Sequence, residues 1–137
     1  VSHQWISSNA LTFRVPTDAS VGFNTVAILV NNKTYSQTSW EIKAPEIDAP
    51  SLTTTYDQYA TVTLTGRNFG SSQSESGGRT KTYLTINGTK VDSFSSWSDT
   101  SISFSNPLDP SWIEDPIVPI YLYVGDIQSG VVYIKVK

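Results

Sequence analysis

VTLTGRNFGSS, residues 62–72, is the stretch that decides how this sequence folds. Val62 and Leu64 alternate with threonines, which is the pattern of a β-strand with one buried face. The pattern breaks at Gly66, continues with one large apolar residue at Phe69, and breaks again at a second glycine. A strand that stops in this way must have a structural reason.

A strand that leaves its sheet at the end of a β-sandwich would explain this pattern. Glycine can take a positive φ or form a bulge without steric cost, so Gly66 can end the strand. Asn68 can bond its own backbone and hold the turn, while Gly70 opens the following loop. We therefore predict that Phe69 enters the core at one end of the sandwich.

The rest of the chain repeats the alternating pattern and contains almost no helical signal. Turn-forming residues separate the alternating segments, as in an antiparallel sandwich of short strands. The alternating segments besides the first are LTFRV (11–15), VAILV (26–30), YLTIN (83–87), SISFS (101–105), IYLYV (120–124) and VYIKV (132–136).

Composition narrows the classes of function. The 137 residues carry a net charge of −3, which disfavours nucleic acid as a partner because phosphate binding needs a basic surface. There is no cysteine and one histidine, His3, so neither a Cys/His dyad nor a histidine-based metal cluster is available. Asp109, Glu114 and Asp115 could hold a calcium ion, but without an EF-hand pattern a solvated loop is favoured. We expect no catalysis, no cofactor and no metal.

The chain also repeats itself at a spacing of about 90 residues. WISSNALTFRVP (5–16) resembles WSDTSISFSNP (97–107), and the two tryptophans, Trp5 and Trp97, are 92 residues apart. VAILVNNKTYS (26–36) matches IYLYVGDIQS (120–129) in the same way. We predict a complete module at residues 45–137, and we interpret residues 1–44 as the C-terminal half of a preceding copy that does not fold alone.

These repeated segments carry a family resemblance. VTLTGRNFG, then LTINGTKVDSFSSWSDTSISFSNP (84–107), then IYLYVGDIQSG together resemble an IPT/TIG module. The resemblance covers residues 45–137 and, by its second half, residues 1–44. It implies an immunoglobulin-like antiparallel β-sandwich of the early-set type, as in plexin-type receptors, some transcription factors and many extracellular adhesion proteins. The loops at 71–80 and 107–120 are longer than is usual in the family.

Several residues are predicted to serve the fold rather than a partner. Trp97 recurs at the module spacing, and an equivalent residue in both copies favours packing over recognition. The fold motif thus consists of Gly66, Asn68, Phe69, Gly70 and Trp97.

Two asparagines lie in N-glycosylation sequons, Asn32-Lys33-Thr34 and Asn87-Gly88-Thr89. Both fall in predicted hairpin turns, where a side chain is exposed. Asn-Gly is also the preferred pair for a type I′ turn, so Asn87 is explained without a glycan. Glycosylation at Asn32 and Asn87 therefore stays open.

Four tyrosines are predicted to face outward from neighbouring strands. If Ile120, Leu122 and Val124 face the core, the alternate residues form an outer stripe. Tyrosine is enriched at interfaces because it combines a large contact area with a polar tip. The alternative is that these residues are cross-strand aromatic pairs that only stabilise an exposed sheet. The stripe comprises Tyr83, Tyr121, Tyr123 and Tyr133.

A second candidate contact is the proline-rich segment NPLDPSWIEDPIVP (106–119). Its prolines prevent regular strand pairing and stiffen the free loop. Trp112, with Ile113 beside it, would then be displayed at a low entropic cost of binding. The alternative is that Trp112 folds back and caps the end of the sandwich.

We expect a non-catalytic, extracellular module of a cell-surface adhesion or recognition protein. It would present loops and one sheet face to a protein partner, either homophilic or heterophilic. The composition, which is rich in Ser, Thr and Asn and free of cysteine, is similar to that of the tiger-type adhesion and self-recognition receptors of social amoebae. The alternative is a carbohydrate-binding or spacer module of a secreted polysaccharide-acting enzyme or a bacterial surface protein, with Trp112 and the tyrosines stacking on sugar rings.

Overall fold

The computed structural model of the chain describes residues 3–7, 10–13 and 20–137, and for His3, Trp5 and Ile6 it describes the backbone alone. The comparison of the Trp5 side chain with Trp97 therefore lies outside the described residues. The chain divides into two compact units, Val1–Lys43 and Ala44–Lys137. Whether the first unit is half of a repeated module stays a prediction.

The first unit contains two antiparallel strand pairs. In the second pair a two-residue turn, Asn31 and Asn32, takes φ values of 49° and 60°. Two positive φ values are the mark of a type I′ turn, which suits the twist of a hairpin. The ring of Phe13 meets Trp40 edge to face at 6.0 Å. The pairs join β1 (His3–Ser7) to β2 (Ala10–Phe13) and β3 (Gly22–Val30) to β4 (Lys33–Ile42).

The second unit is a sandwich of two sheets. Its strands are β5 (Glu46–Ile47), β6 (Thr55–Tyr56), β7 (Thr61–Arg67), β8 (Tyr83–Ile86), β9 (Thr89–Val91), β10 (Ser96–Trp97), β11 (Ser101–Ser105), β12 (Ile117–Val124), β13 (Ile127–Gln128) and β14 (Val132–Val136), with short 3-10 helices at Gly78–Thr80 and Pro110–Trp112. A four-stranded sheet has the order β10-β11-β7-β5, and a six-stranded sheet has the order β6-β14-β12-β8-β9 with β13 paired to β12. All pairs are antiparallel except β14 with β6.

The core lies between the two sheets and follows the alternation in the sequence. Val62 and Leu64 of β7 are buried while the threonines beside them are exposed. The same alternation buries the even-numbered residues of β8, β11, β12 and β14. The predicted all-β sandwich is therefore confirmed. The largest fully buried side chains include Phe69, Phe104, Leu64, Leu84, Ile86, Ile102, Ile120, Leu122 and Ile134.

Gly66 is required for a different reason from the one predicted. Its φ is not in the left-handed region, and β7 continues to Arg67, so the prediction that Gly66 ends the strand is wrong. Instead β5 pairs with β7 here, and a Cβ atom on Gly66 would clash with the backbone oxygen of Glu46. The same Cβ would lie 2.8 Å from Cζ of Phe69. The glycine lets a neighbouring strand and the buried ring approach the backbone together.

The positive φ values occur two and four residues later. Asn68 has φ 62° and Gly70 has φ 81°. The Asn68 side chain does not bond its own turn; its Nδ2 donates to the carbonyl of Ala44 at 3.2 Å. Phe69, between them, is fully buried. The turn thus directs this ring into the core while fastening the start of the unit to the end of β7.

The segment WSDT, residues 97–100, is hydrogen-bonded to this turn. The backbone N–H of Phe69 donates to the carbonyl of Asp99 at 3.1 Å, and that of Gly66 donates to Thr100 at 3.0 Å. The Gly70 N–H donates to Oδ1 of Asp99 at 2.9 Å. In return, Nε1 of Trp97 donates to the Gly70 carbonyl at 3.0 Å. The two stretches that suggested the family therefore form one hydrogen-bonded unit.

Phe94 completes this end of the core and gave no signal in the sequence. Its ring meets Trp97 edge to face at 4.8 Å and Phe104 at 6.4 Å. Phe94 lies in a loop outside every alternating segment, so periodicity could not find it.

The proline-rich loop is shorter than the sequence indicated. Strand β12 begins at Ile117 and contains Pro119, so the prediction that this proline lies outside regular pairing is wrong. The Pro119 carbonyl accepts a hydrogen bond from the Asn87 N–H at 2.9 Å. The backbone N and C=O of a strand residue point to the same side, so the Pro119 nitrogen also faces the hairpin turn that follows β8. No ladder hydrogen bond is needed at that turn, and a proline without an N–H is tolerated there.

We predict that Gly66→Ala destabilises the second unit by about 1–3 kcal/mol, because an added methyl forces the backbone of β5 or the Phe69 ring to move. The matched control is Gly130→Ala, where nothing lies within 4 Å of the new Cβ and φ is outside the left-handed region. That control should stay within about 1 kcal/mol of wild type. Urea unfolding measures both, and equal effects would contradict the close approach.

We predict that Phe69→Ala lowers the unfolding free energy by about 3–5 kcal/mol, the range for emptying a buried aromatic site. Phe23→Ala removes the same ring from a position that is 81% exposed, and it should cost no more than about 0.5 kcal/mol. Both are measured by urea denaturation with tryptophan fluorescence. A Phe69→Ala variant that unfolds like wild type would show that the ring does not anchor the core.

Candidate binding surface

The six-stranded sheet brings the four candidate tyrosines onto one outer surface. Because the even-numbered side chains of β8, β12 and β14 point into the core, the odd-numbered ones point outward. Tyr123 lies opposite Tyr83 on the neighbouring strand, and Pro119 lies opposite Tyr133. We call the outward side chains Tyr83, Tyr121, Tyr123 and Tyr133 the tyrosine face.

Two members of the tyrosine face are engaged with each other. The Tyr83 and Tyr123 rings stack with centroids 4.8 Å apart and an interplanar angle of 21°. Nζ of Lys90 lies 4.6 Å from the Tyr83 centroid. Lys90 comes from β9 and Tyr123 from β12, so the Tyr83 ring is contacted from both strands that neighbour β8. The Tyr123 hydroxyl accepts a hydrogen bond from Nε2 of Gln128 at 3.1 Å, so this pair stabilises the sheet across its strands.

Tyr133 is the most open member of the face. Tyr133 lies on β14 and is 47% exposed. Ile117 of β12, which pairs with Lys135 of β14, is 41% exposed. Tyr121 lies between Tyr133 and the stacked pair and is half-buried. The open part of the tyrosine face therefore lies toward β14 and β6 rather than toward β9.

Trp112 is displayed by a short, well-supported turn. The Asp109 carboxylate accepts hydrogen bonds from the Ser111 hydroxyl at 2.7 Å and the Ser111 N–H at 2.9 Å. These bonds favour the charged form and so lower the pKa of Asp109. The Trp112 side chain is 85% exposed, so the alternative that it folds back to cap the sandwich is wrong.

Neighbouring side chains occupy the inward positions that the indole could have taken. Ile113 is partly buried and packs against the core, and Leu108 is 8% exposed. Ile113 is therefore half-buried rather than fully displayed beside Trp112, and its role as a contact residue stays a prediction. Asn106 is fully buried and anchors the loop, with Nδ2 donating to the Asp57 carbonyl at 3.0 Å and Oδ1 accepting from the Leu108 N–H at 3.1 Å.

An open groove of about 450 Å³ lies between this loop and the end of β14. Its size falls within the range of small ligand sites. We call it the loop groove, and its lining is Thr55, Pro110, Ile113, Pro116, Lys135, Val136 and Lys137. Lys135 is two residues beyond Tyr133 on the same side of β14, so the groove continues the open part of the tyrosine face.

Both candidate glycosylation sites lie in exposed two-residue turns. Asn32 precedes Lys33, which closes the β3–β4 hairpin, and Asn87 starts the β8–β9 turn. Asn87 and Gly88 have φ values of 48° and 80°, as a type I′ turn requires. Access of a glycosylating enzyme is thus unobstructed at both turns, and occupancy stays a prediction.

Within residues 3–7, 10–13 and 20–137 no group of three or more His, Cys, Asp or Glu side chains could hold a metal ion. The acidic residues of the 109–115 loop bond locally, and Oδ1 of Asp115 accepts from the Ile117 N–H at 2.9 Å. In that described part, no helix has the length and apolar character needed to cross a membrane.

Comparison with known proteins identifies a family and includes a distant likeness to a solved structure. The family model described as IPT/TIG domain matches residues 45–136. The solved structure of Bacteroides ovatus mixed-linkage glucan utilization locus SGBP-B, in complex with a mixed-linkage heptasaccharide, is similar at 17% identity and a TM-score of 0.45. That match covers 99% of this chain and 36% of the other, so this chain spans about a third of that protein. No curated protein matches the chain.

We predict that Trp112→Ala leaves the unfolding free energy within about 0.5 kcal/mol of wild type, because the ring contacts solvent. The adjacent Ile113→Ala is the matched control and should cost at least about 1 kcal/mol, because it removes packing against the core. Thermal and urea unfolding measure both. Equal losses would mean that the indole also contributes to the core.

Proposed function

The chain belongs to the IPT/TIG family through residues 45–136, and from that premise we propose that it is a non-catalytic recognition module of an extracellular cell-surface protein. Its partner is another protein, and the surface that binds it is the open part of the tyrosine face with the adjoining loop groove. The proposal includes no catalytic step, since the sequence has no cysteine and a single histidine.

The contrast between the two outer sheet faces carries this proposal. On the four-stranded sheet the outward side chains of β7 and β11 are hydroxyl residues except for Arg67, which pairs with Glu46, and Thr63 Oγ1 lies 2.8 Å from Ser103 Oγ. On the six-stranded sheet the outward residues include Tyr133 and Ile117, with Trp112 at the adjoining loop. Protein interfaces are enriched in aromatic residues and depleted in serine. The aromatic face is therefore the one suited to a protein partner.

A carbohydrate-binding or spacer role is the second candidate, and the exposed Trp112 indole favours it. A flat aromatic ring on a stiff loop can stack against the apolar face of a sugar. Tyr83 does not extend such a platform, because Lys90 and Tyr123 cover its ring. Within the tyrosine face and its adjoining loop, the more exposed rings are those of Trp112 and Tyr133, so this surface is better suited to a protein than to an extended glycan.

The first unit is proposed to be the C-terminal half of a second IPT/TIG copy. Its pairs β1–β2 and β3–β4 follow the same order along the chain as β10–β11 and β12–β13. The turn at Asn31-Asn32 has an equivalent at Gly125-Asp126, where φ values of 57° and 69° again join strands across two residues. Exposed apolar side chains such as Phe23 are expected for a half-module. These likenesses support a tandem arrangement.

The proposal is tested by removing the aromatic residues without disturbing the core. Tyr121→Ser, Tyr133→Ser and Trp112→Ala are combined in one variant. The matched control combines Thr61→Ala, Thr63→Ala and Thr65→Ala on the opposite sheet. Binding of the labelled 137-residue chain to cells that display the parent protein, and to a second copy of the chain, is measured with a glycan array alongside.

We expect the aromatic variant to lose protein or cell binding by about tenfold or more, as for the loss of an interface hot spot, with its melting temperature retained. The threonine variant should bind like wild type. Binding lost only in the threonine variant would show that the partner contacts the four-stranded sheet instead. Glycan binding that depends on Trp112, without protein binding, would establish the carbohydrate alternative.

A further inference from the structure

We propose that the loop groove binds an acidic peptide segment of the partner, in which carboxylate side chains alternate with aliphatic ones. This inference rests on the proposed function and adds the chemistry of what enters the groove. It comes from three properties of the groove: a stiff apolar wall, a pair of lysines, and a lining with almost no hydrogen-bond acceptors on its side chains.

The wall of the groove is apolar and held in place. Its apolar side chains are Pro110, Ile113 and Pro116 of the loop, since Val136 of β14 is buried in the core. The two sides are joined by a hydrogen bond from the Val136 N–H to the Pro116 carbonyl at 2.8 Å. Prolines restrict the loop in the free state, so little ordering is required when a ligand binds. Such a wall suits an aliphatic side chain.

The charged side chains that line the groove are both positive, in a chain whose net charge is −3. These are Lys135 and Lys137, and across the described ranges neither forms an ion pair. Asp109, Glu114 and Asp115 are adjacent in sequence to lining residues, but none of them lines the groove. Asp109 accepts hydrogen bonds from Ser111, and Asp115 accepts one from the N–H of Ile117. The local charge is therefore complementary to a carboxylate.

The polar lining favours an acidic peptide over a neutral sugar. A lysine ammonium group only donates hydrogen bonds, and Thr55 is the other polar side chain. Neutral sugars present hydroxyl groups that both donate and accept, so a sugar site needs acceptors such as carboxylates or amides. The lining has no carboxylate or amide side chain, and its one side-chain acceptor is the Thr55 hydroxyl. A ligand that brings acceptors and apolar groups together matches the groove, and Asp or Glu beside Val or Leu in a peptide does so.

Fluorescence anisotropy with a labelled peptide of about ten residues, in which Glu alternates with Val, tests the inference on the whole chain. The control peptide replaces each Glu with Gln and keeps the shape. The protein variants are Lys135→Gln, which removes the charge, Lys135→Arg, which keeps it, and Lys33→Gln, which removes an exposed lysine from the first unit. An oligogalacturonate serves as an acidic carbohydrate probe.

We expect the Glu peptide to bind at least fivefold more tightly than the Gln peptide and to weaken between about 0.05 and 0.5 M NaCl, because exposed charges are screened by salt. Lys135→Gln should weaken binding about three- to fivefold, the range for one charge pair near the surface. Lys135→Arg and Lys33→Gln should bind like wild type.

The inference is overturned if the Glu peptide does not bind below ~1 mM, if the two peptides bind equally, or if Lys135→Gln has no effect. Binding of oligogalacturonate alone overturns it as well and assigns the groove to an acidic carbohydrate. Repeating the cell-binding assay with Lys135→Gln separates this inference from the proposed function. Unchanged cell binding in Lys135→Gln, with loss in the aromatic variant, leaves the proposed function standing without the acidic peptide.

Discussion

The fold of the second unit depends on the close approach of three backbones around one buried ring. Gly66 has no side chain, so β5 can pair beside it while the Phe69 ring packs below. The turn that follows is fixed by hydrogen bonds that its N–H groups donate to Asp99, and Nε1 of Trp97 donates to the Gly70 carbonyl. Any side chain at Gly66 would separate these elements. One short turn thus connects the start of the unit, the end of β7 and the loop before β11. It also places Phe69 in the core between the two sheets.

The two sheets share one core but present opposite chemistry to solvent. Side chains on a strand alternate, so each sheet has an outer face that the core does not constrain. On β7 and β11 that face carries hydroxyl groups that bond across the strands, as Thr63 and Ser103 do. On β12 and β14 it carries aromatic and aliphatic groups, with the loop groove at its end. A module that only spaced its neighbours would have no need of this difference, which is why the aromatic side is the proposed contact surface.

Charge adds a second level of selectivity to that surface. The chain is acidic overall, and half of its described basic side chains form ion pairs with acidic ones, as Arg67 does with Glu46. That contact raises the pKa of Arg67 and keeps its charge neutralised locally. Lys135 and Lys137 remain without an ion pair in the described chain, beside an apolar wall. Because neither lysine is engaged in an ion pair, the charge of both side chains is available to a ligand.

The sequence by itself determined the class of fold, the family and the outward direction of the four tyrosines, because alternation with period two and turn residues are local properties of the chain. Tertiary structure alone decided the reason for Gly66, the place of Phe94 and the exposure of Trp112. Each depends on what another segment does: β5 beside Gly66, Trp97 beside Phe94, and Ile113 filling the inward position next to Trp112. The stacking of Tyr83 on Tyr123 and the loop groove likewise arise where strands distant in sequence meet, and no local pattern encodes which ones do.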